Sequence, residues 1–322
     1  MKAKLTFLGT GTSSGVPMIA CDCPVCTSPD PRDKRLRASV LVEYGGLTIV
    51  VDAGPDFRQQ MLRAGVTHID AILLTHDHMD HIGGLDETRA FNLFEAKPVN
   101  IYCEEYVLNS LKRMYDYAFA CPRYPGAPEW RMHTIDASHP FRVYSNLGER
   151  RLVWESGVGY RYADGGGTGG AADGVAGASA SGSSGSGVAG ANRGTAVDGT
   201  ADCGAKIPSV EVIPIQGWHH KEKELSVLGY RFGNISYITD FNLLEDSEFE
   251  KLKGLDYITA NCVKRSPHHS HFSLNEALDF FEKVGARESY ITHMSHLLPR
   301  HADFAAELPP HVHPAWDGLV LG

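Results

Sequence analysis

The stretch Thr75-His76-Asp77-His78-Met79-Asp80-His81 packs three imidazoles and two carboxylates into six residues, His76 to His81. Imidazole nitrogen and carboxylate oxygen are the donors expected around zinc and similar divalent ions. His76 and His78 alternate with Asp77, so an extended backbone points both rings to one side. Asp80 and His81 follow as the chain turns toward Gly83-Gly84. Two ligand pairs this close predict two adjacent ions rather than one. The apolar run Ile69-Asp70-Ala71-Ile72-Leu73-Leu74 precedes the cluster and reads as a buried strand, which sets these ligands at a strand end.

Other residues of the same chemistry also follow apolar runs. His219 comes shortly after Val210 to Ile215, Asp240 closes Tyr237-Ile238-Thr239, and His293 closes Tyr290-Ile291-Thr292. Strand ends are the usual positions for site residues in sheet proteins. His220 adjoins His219 and is an alternative ligand at that position. A separate cluster, Cys21-Asp22-Cys23-Pro24-Val25-Cys26, offers three thiolates. Tetrahedral zinc takes four ligands, and His296 completes a Cys₃His set. His271 lies in a histidine-rich loop, with His268 and His269, just before a helix start that favours anionic phosphate.

The elements that must hold these residues are legible in outline. Lys4 to Leu8 reads as a strand, Ser39 to Tyr44 and Leu47 to Val51 as a hairpin about Gly45-Gly46, and Asp56 to Arg63 as a helix stopped by Gly65. Val99 to Cys103 is a further strand and Glu105 to Tyr115 a helix. Arg142 to Tyr144 and Arg151 to Trp154 read as a hairpin around Asn146-Leu147-Gly148. Gly229 to Phe232 and Ile235 to Thr239 are strands broken by Gly233-Asn234, and Ser289 to Thr292 is the last core strand. Ser273-Leu274-Asn275-Glu276 is a capping box opening a helix whose Leu274, Ala277, Leu278 and Phe281 share a face. Strands in two runs with helices outside predict an α/β sandwich, not an alternating parallel sheet.

From about 163 to 205 the chain turns Gly/Ala/Ser-rich, with almost no large apolar side chains. Such a composition cannot offset its ordering entropy, so a flexible, disordered insertion is expected, a linker between two domains being the alternative. The insertion is preferred because ligand-like residues on either side complete one cluster, which makes residues 1–322 a single domain. The apolar fraction of 43% supports a substantial core, and the formal charge of -9 argues against a general nucleic-acid coat without excluding a nucleic-acid enzyme. No apolar run reaches the 18 residues of a membrane span, and the N-terminal apolar stretch is too short for a signal peptide. Seven cysteines, three of them clustered, read as ligands and free thiols rather than a disulfide framework. A cytoplasmic protein with no membrane partner is the expectation.

Together, the Thr-His-x-His-x-Asp-His motif and the later His, Asp and His resemble the metallo-β-lactamase fold, an αββα sandwich. Leu8-Gly9-Thr10-Gly11-Thr12-Ser13-Ser14-Gly15-Val16-Pro17, Asp52-Ala53-Gly54-Pro55-Asp56-Phe57-Arg58, Ala315-Trp316-Asp317-Gly318 and the cysteine motif resemble the PhnP-type phosphodiesterases, a tRNase Z-related subgroup. The resemblance implies that His76, His78 and His219 hold one divalent ion, that Asp80, His81 and His293 hold the second, and that Asp240 bridges them. It implies a structural zinc at Cys21, Cys23, Cys26 and His296, and a second-sphere role for Asp52. Asp80 and His271 become the catalytic pair, with His271 assisting departure of the leaving group. Zinc and manganese both suit the binuclear set. The implied activity is hydrolysis of a small cyclic phosphodiester such as phosphoribosyl 1,2-cyclic phosphate, by a hydroxide bridging the two ions. The alternatives are a tRNase Z-like RNA 3′-processing endonuclease, whose protruding basic arm the nearly uncharged insertion does not match, a lactam or thioester hydrolase, and a non-catalytic binding module. Relatives of this type are often homodimers.

Overall fold

The computed structural model describes residues 1–146, 150–155, 159–164 and 207–322. Beyond Asp164, the Gly/Ala/Ser-rich insertion read from the sequence lies outside the described residues. One sheet runs through β1 (Lys4–Gly9), β2 (Ser39–Tyr44), β3 (Leu47–Val51), β4 (Ala71–Leu73), β5 (Val99–Cys103) and β6 (Trp130–Thr134). The short C-terminal strand Val320–Leu321 pairs outside β1. β7 (Phe141–Tyr144) leaves this sheet for the other, and β8 (Arg150–Glu155) pairs with β9 (Gly159–Asp164) as a separate two-stranded ribbon. The second sheet contains β10 (Ser209–Trp218), β11 (Ser226–Phe232), β12 (Ile235–Tyr237), β13 (Leu243–Leu244), β14 (Tyr257–Asn261), β15 (Glu288–Thr292) and β16 (Val312–Pro314).

The two sheets share a construction rule. β1-β2-β3 is antiparallel and β3-β4-β5-β6 parallel. β10-β11-β12 is antiparallel and β12-β14-β15-β16 parallel. Each half thus opens as a meander and finishes with crossovers, and its parallel strands end on the same edge. Alternation sorts the strand side chains. Val210, Val212, Leu228, Tyr230 and Phe232 face Leu5, Phe7, Val40, Val42 and Ile49 of the first sheet, forming the core between the sheets. Ile215 and Val227 face outward onto Leu274, Ala277, Phe280 and Phe281 of the capped helix Leu274–Val284. The outer face of the first sheet is covered by Phe57 and Met61 of Phe57–Ala64 and by Val107 and Leu111 of Glu105–Met114. The layers are the expected αββα.

Two readings require correction. Arg142 to Tyr144 does not form a hairpin with Arg151 to Trp154. It pairs antiparallel with Ser209–Val212, while Arg150–Glu155 pairs with Gly159–Asp164. The Asn-Leu-Gly turn signal was local, whereas the apolar Val143 gains more by joining the inter-sheet core. On the capped helix, Phe280 is buried and Leu278 only partly so, which rotates the apolar stripe from its expected centre. Both ends of that helix are as read: Ser273 accepts the Glu276 backbone N–H, and Gly285 closes it at φ 65°.

Candidate metal centre

The candidate ligands meet along the edge where the parallel strands end. The chain turns sharply there, and three turn residues are left-handed: Asp52 (φ 64°) after β3, Asp240 (φ 62°) shortly after β12, and His293 (φ 53°) after β15. Asp and His enter this region more readily than most residues, and such backbone outliers concentrate at functional sites. The turn carrying Asp80 is packed as tightly. A Cβ on Gly54 would lie 1.9 Å from the Asp80 carbonyl oxygen.

Ligand atoms of His76, His78 and His219 lie within 4.8 Å of one another, as do those of Asp80, His81 and His293, and of His76, His81 and Asp240. Asp240 stands between the groups. Its Oδ2 is 3.2 Å from His81 Nε2, and its Oδ1 is 3.1 Å from His293 Nε2. Asp80 Oδ2 is 3.3 Å from His81 Nε2 and 3.6 Å from His293 Nε2. The ligand atoms of His219, rather than those of His220, join His76 and His78; the His220 ring stacks between His219, 5.1 Å away, and His269, 5.8 Å away. β10 runs through Trp218, so His219 follows the strand directly and not a turn after Ile215.

Behind the ligands, Asp52 sets two tautomers. Its fully buried carboxylate accepts the Thr75 backbone N–H at 2.9 Å and the Thr75 hydroxyl at 2.9 Å, and it lies 2.7 Å from His81 Nδ1. Because its hydroxyl donates to Asp52, Thr75 Oγ1 accepts from His76 Nδ1, 2.9 Å away. His219 Nδ1 donates to the Ser270 carbonyl at 2.6 Å. Each ring, when neutral, therefore carries its proton on Nδ1 and presents an Nε2 lone pair to the cluster.

The chemistry and burial of these donors fit divalent ions. His76 Nε2, His81 Nε2 and His293 Nε2 are buried without a hydrogen-bond partner, although carboxylate oxygens lie near the last two. Unpartnered buried nitrogens are costly, and lone pairs converging with carboxylates on one point are what a cation requires. Burial holds His76 well below the usual histidine range and His219 at about 4, so both stay neutral. Burial opposes charge on His81, but Asp240, Asp80 and Asp52 lift it well above that range. A cation between those carboxylates replaces the proton, so metal uptake should release it. Despite burial, His293 and His81 hold Asp240 well below the carboxylate range.

His271 belongs to the same neighbourhood. Its ring centroid is 4.7 Å from that of His219 and 4.8 Å from that of His293, and its Nδ1 is 3.6 Å from Asp240 Oδ1. Burial keeps it well below the usual histidine range. The ligand atoms of His219, Asp240 and His271 also lie within 4.8 Å of one another, so position alone permits His271 to coordinate. The neighbouring His268 and His269 extend this row of rings to the rim.

The cysteine cluster forms a second centre. Cys21, Cys23, Cys26 and His296 bring their ligand atoms within 4.8 Å, with His296 Nδ1 3.2 Å from Cys21 Sγ. The Met18 backbone N–H donates to Cys26 Sγ and that of Cys26 to Cys23 Sγ. The Cys26 N–H is the largest influence lowering the Cys23 thiol to about 6, whereas burial pushes Cys26 up to about 11. His296 follows His293 by three residues, so the two centres share one turn. Arg35, given no role from the sequence, braces that turn by donating from Nη1 to the Ser295 carbonyl at 3.5 Å. Arg35 and Asp33 form a fully buried ion pair at 3.1 Å. Asp33 also accepts from Ser28 Oγ and the His301 backbone N–H. Asp317 joins Thr10, Leu36 and Arg63.

Comparison with known proteins agrees with this architecture. The family model described as the beta-lactamase superfamily domain matches residues 48–154 and 188–294. The chain belongs to the beta-lactamase superfamily. A crystal structure of a diphosphatase from the PhnP family is 32% identical, with a TM-score of 0.71 covering 100% of this chain and 97% of that one. It bears out the PhnP-type resemblance. Human tRNase Z, short form, shares the fold at 16% identity and a TM-score of 0.56, covering 99% of this chain and 98% of its own. An octanoyltransferase of Porphyromonas gingivalis is 32% identical over 315 residues, 97% of this chain. The chain spans 50% of that relative's length. Among the described residues, no helix is long and apolar enough to cross a membrane.

Proposed function

We propose that this protein is a metal-dependent phosphodiesterase acting on a small, cyclic phosphodiester of the phosphoribosyl cyclic phosphate type. His76, His78 and His219 would hold one divalent ion, Asp80, His81 and His293 the other, with Asp240 between them; zinc and manganese both suit these donors. Bound there, divalent ions supply Lewis acidity toward phosphate oxygens and lower the pKa of water. The chain itself supplies orientation. Asp52 and Thr75 fix the rings, the left-handed turns hold Asp240 and His293 in place, and the close packing of Gly54 on the Asp80 carbonyl holds Asp80. The PhnP-family diphosphatase supports phosphoester chemistry for this site.

The observation that carries the reading is His271, a buried imidazole beside Asp240 that exceeds the expected set of seven ligands. Held neutral by burial, it still has one N–H to donate, and charge developing on a departing oxygen is where such a donor acts. A substrate panel on metal-analysed protein tests this. The reading expects turnover of bis(p-nitrophenyl) phosphate and of a ribosyl cyclic phosphate, with little on precursor tRNA, a β-lactam or a thioester. His271→Ala should retain both ions and lose about 10²- to 10⁴-fold on the ribosyl ester, but less on the activated aryl ester. Equal losses on both esters together with lost metal would make His271 a ligand. Preferred cleavage of tRNA would favour the endonuclease.

A further inference from the structure

One carboxylate at the edge of the centre has no role in the account above. Glu104 follows β5 and precedes the helix Glu105–Met114, where a side chain commonly caps the helix. Its side chain makes no capping hydrogen bond. It crosses to the other sheet, where Ser226 Oγ donates to its Oε2 at 2.6 Å. Ser226 in turn accepts from Gln216 Nε2 at 2.7 Å, which fixes the direction of the chain toward the carboxylate. Glu104 is partly buried and pairs with no cation among the described residues. Burial raises its pKa. A carboxylate held this way without a counter-charge is expensive as mere structure.

Its position follows from strand alternation. Glu104 continues the inward face of Tyr102, and Ser226 continues that of Leu228; both Tyr102 and Leu228 lie in the core between the sheets. Ser226 is directly opposite Trp218 across β10 and β11, and Leu225 accepts the His219 backbone N–H. The group therefore lies at the open end of the inter-sheet cleft, beside the strand that delivers His219. Trp218 adds the complementary donor, for its indole N–H is buried with no partner among the described residues. Glu104 and Trp218 thus both adjoin Ser226, the carboxylate through its hydrogen bond and the indole across the strand pair.

We infer that Glu104 and Trp218 bind the sugar portion of the diester through its hydroxyls, an inference that rests on the phosphodiesterase reading. A hydroxyl donates and accepts, so it satisfies both groups at once, whereas an ammonium offers nothing to the indole N–H. Ser226 and Gln216 are positioning residues that aim the carboxylate.

The test uses two diesters with the same leaving group, the p-nitrophenyl ester of ribose 5-phosphate and p-nitrophenyl methyl phosphate, on metal-loaded protein. Wild type should prefer the ribosyl ester in kcat/KM by about 10- to 100-fold, the range of a hydrogen bond to a charged group. Glu104→Gln and Trp218→Phe should each bring that ratio toward one, chiefly through KM on the ribosyl ester. Calorimetry should show ribose 5-phosphate bound about tenfold more weakly by Glu104→Gln than by wild type, with methyl phosphate changed less. A wild-type ratio near one, a ratio unmoved by either variant, or equal losses on both esters with a lowered melting temperature would overturn the inference; the last would make the group a latch between sheets. A wild type that cleaves neither ester would instead remove the phosphodiesterase reading, and this inference with it.

Discussion

Asp52→Asn isolates the tautomer-setting role of a residue that touches no candidate ion. The substitution keeps volume, and asparagine tolerates the left-handed backbone at φ 64°, whereas Asp52→Ala would add strain. One amide oxygen can still accept from Thr75. The other atom becomes an NH₂ group facing His81 Nδ1, where the carboxylate now sits at 2.7 Å. Two donors cannot face each other, so His81 must move its proton from Nδ1 to Nε2. That nitrogen, 3.2 Å from Asp240 and 3.3 Å from Asp80, then presents a hydrogen instead of a lone pair. Losing such support behind a ligating histidine typically costs about 10- to 100-fold in metal affinity, or about 1.4–2.8 kcal/mol. A competition titration with a chromophoric chelator reads the affinity, and nitrogen-15 NMR of the histidines reads the tautomer. Unchanged metal affinity with the His81 proton still on Nδ1 would refute the reasoning. Thr75→Val, which removes the hydroxyl joining Asp52 to His76 but keeps the backbone N–H to Asp52, should give a smaller effect of the same kind at His76.

The other expected outcomes concern separate parts of the molecule. Cys23→Ser should lose the ion of the cysteine centre and lower the melting temperature by roughly 5–10 °C, while the exposed Cys121→Ser changes neither; metal analysis and calorimetry decide. Gly54→Ala should cost on the order of 3 kcal/mol in denaturant unfolding and weaken binuclear metal binding, because its Cβ would displace the Asp80 carbonyl, 1.9 Å away. Burial opposes charge on His68, yet its hydrogen bonds to Asp70 and Glu95 raise its pKa from 6.5 to about 9. Its stabilisation is therefore fully present below pH 6.5 and fades as pH rises through about 9, with an upper bound of about 3 kcal/mol. The stability gap between wild type and His68→Gln should close between pH 6 and 10; a gap that widens would reverse the assignment.

What could be read from the sequence was what is encoded locally. The Gly45-Gly46 hairpin, the Ser273 capping box and the Gly65 helix stop each depend on neighbouring residues, and their bounds are close to those observed. The candidate ligands were legible because chemistry-bearing residues followed apolar runs. The pairing of β7 with β10 was not, since it joins residues on either side of the long insertion and no turn signals it. Trp130–Thr134 carries polar residues between apolar ones at a sheet edge, and Tyr257–Asn261 is a short run whose partners are also distant in sequence. The links Arg35 to Asp33, Asp317 to Thr10 and Glu104 to Ser226 depend on which strand ends become neighbours, so only the folded chain reveals them.

The candidate ligands are divided between the two sheets. His76, His78, Asp80 and His81 come from the first, and His219, Asp240 and His293 from the second. Neither lobe owns a complete coordination set, so an ion that needs both sets recognises only their docked state. Such an ion acts as a gauge of docking. By mass action it reinforces whatever else joins the lobes, including the Leu228 N–H to the Thr75 carbonyl and the Tyr230 hydroxyl to the Leu74 carbonyl at 2.6 Å. Damage far along that seam should therefore register first as weakened metal affinity, before either lobe unravels.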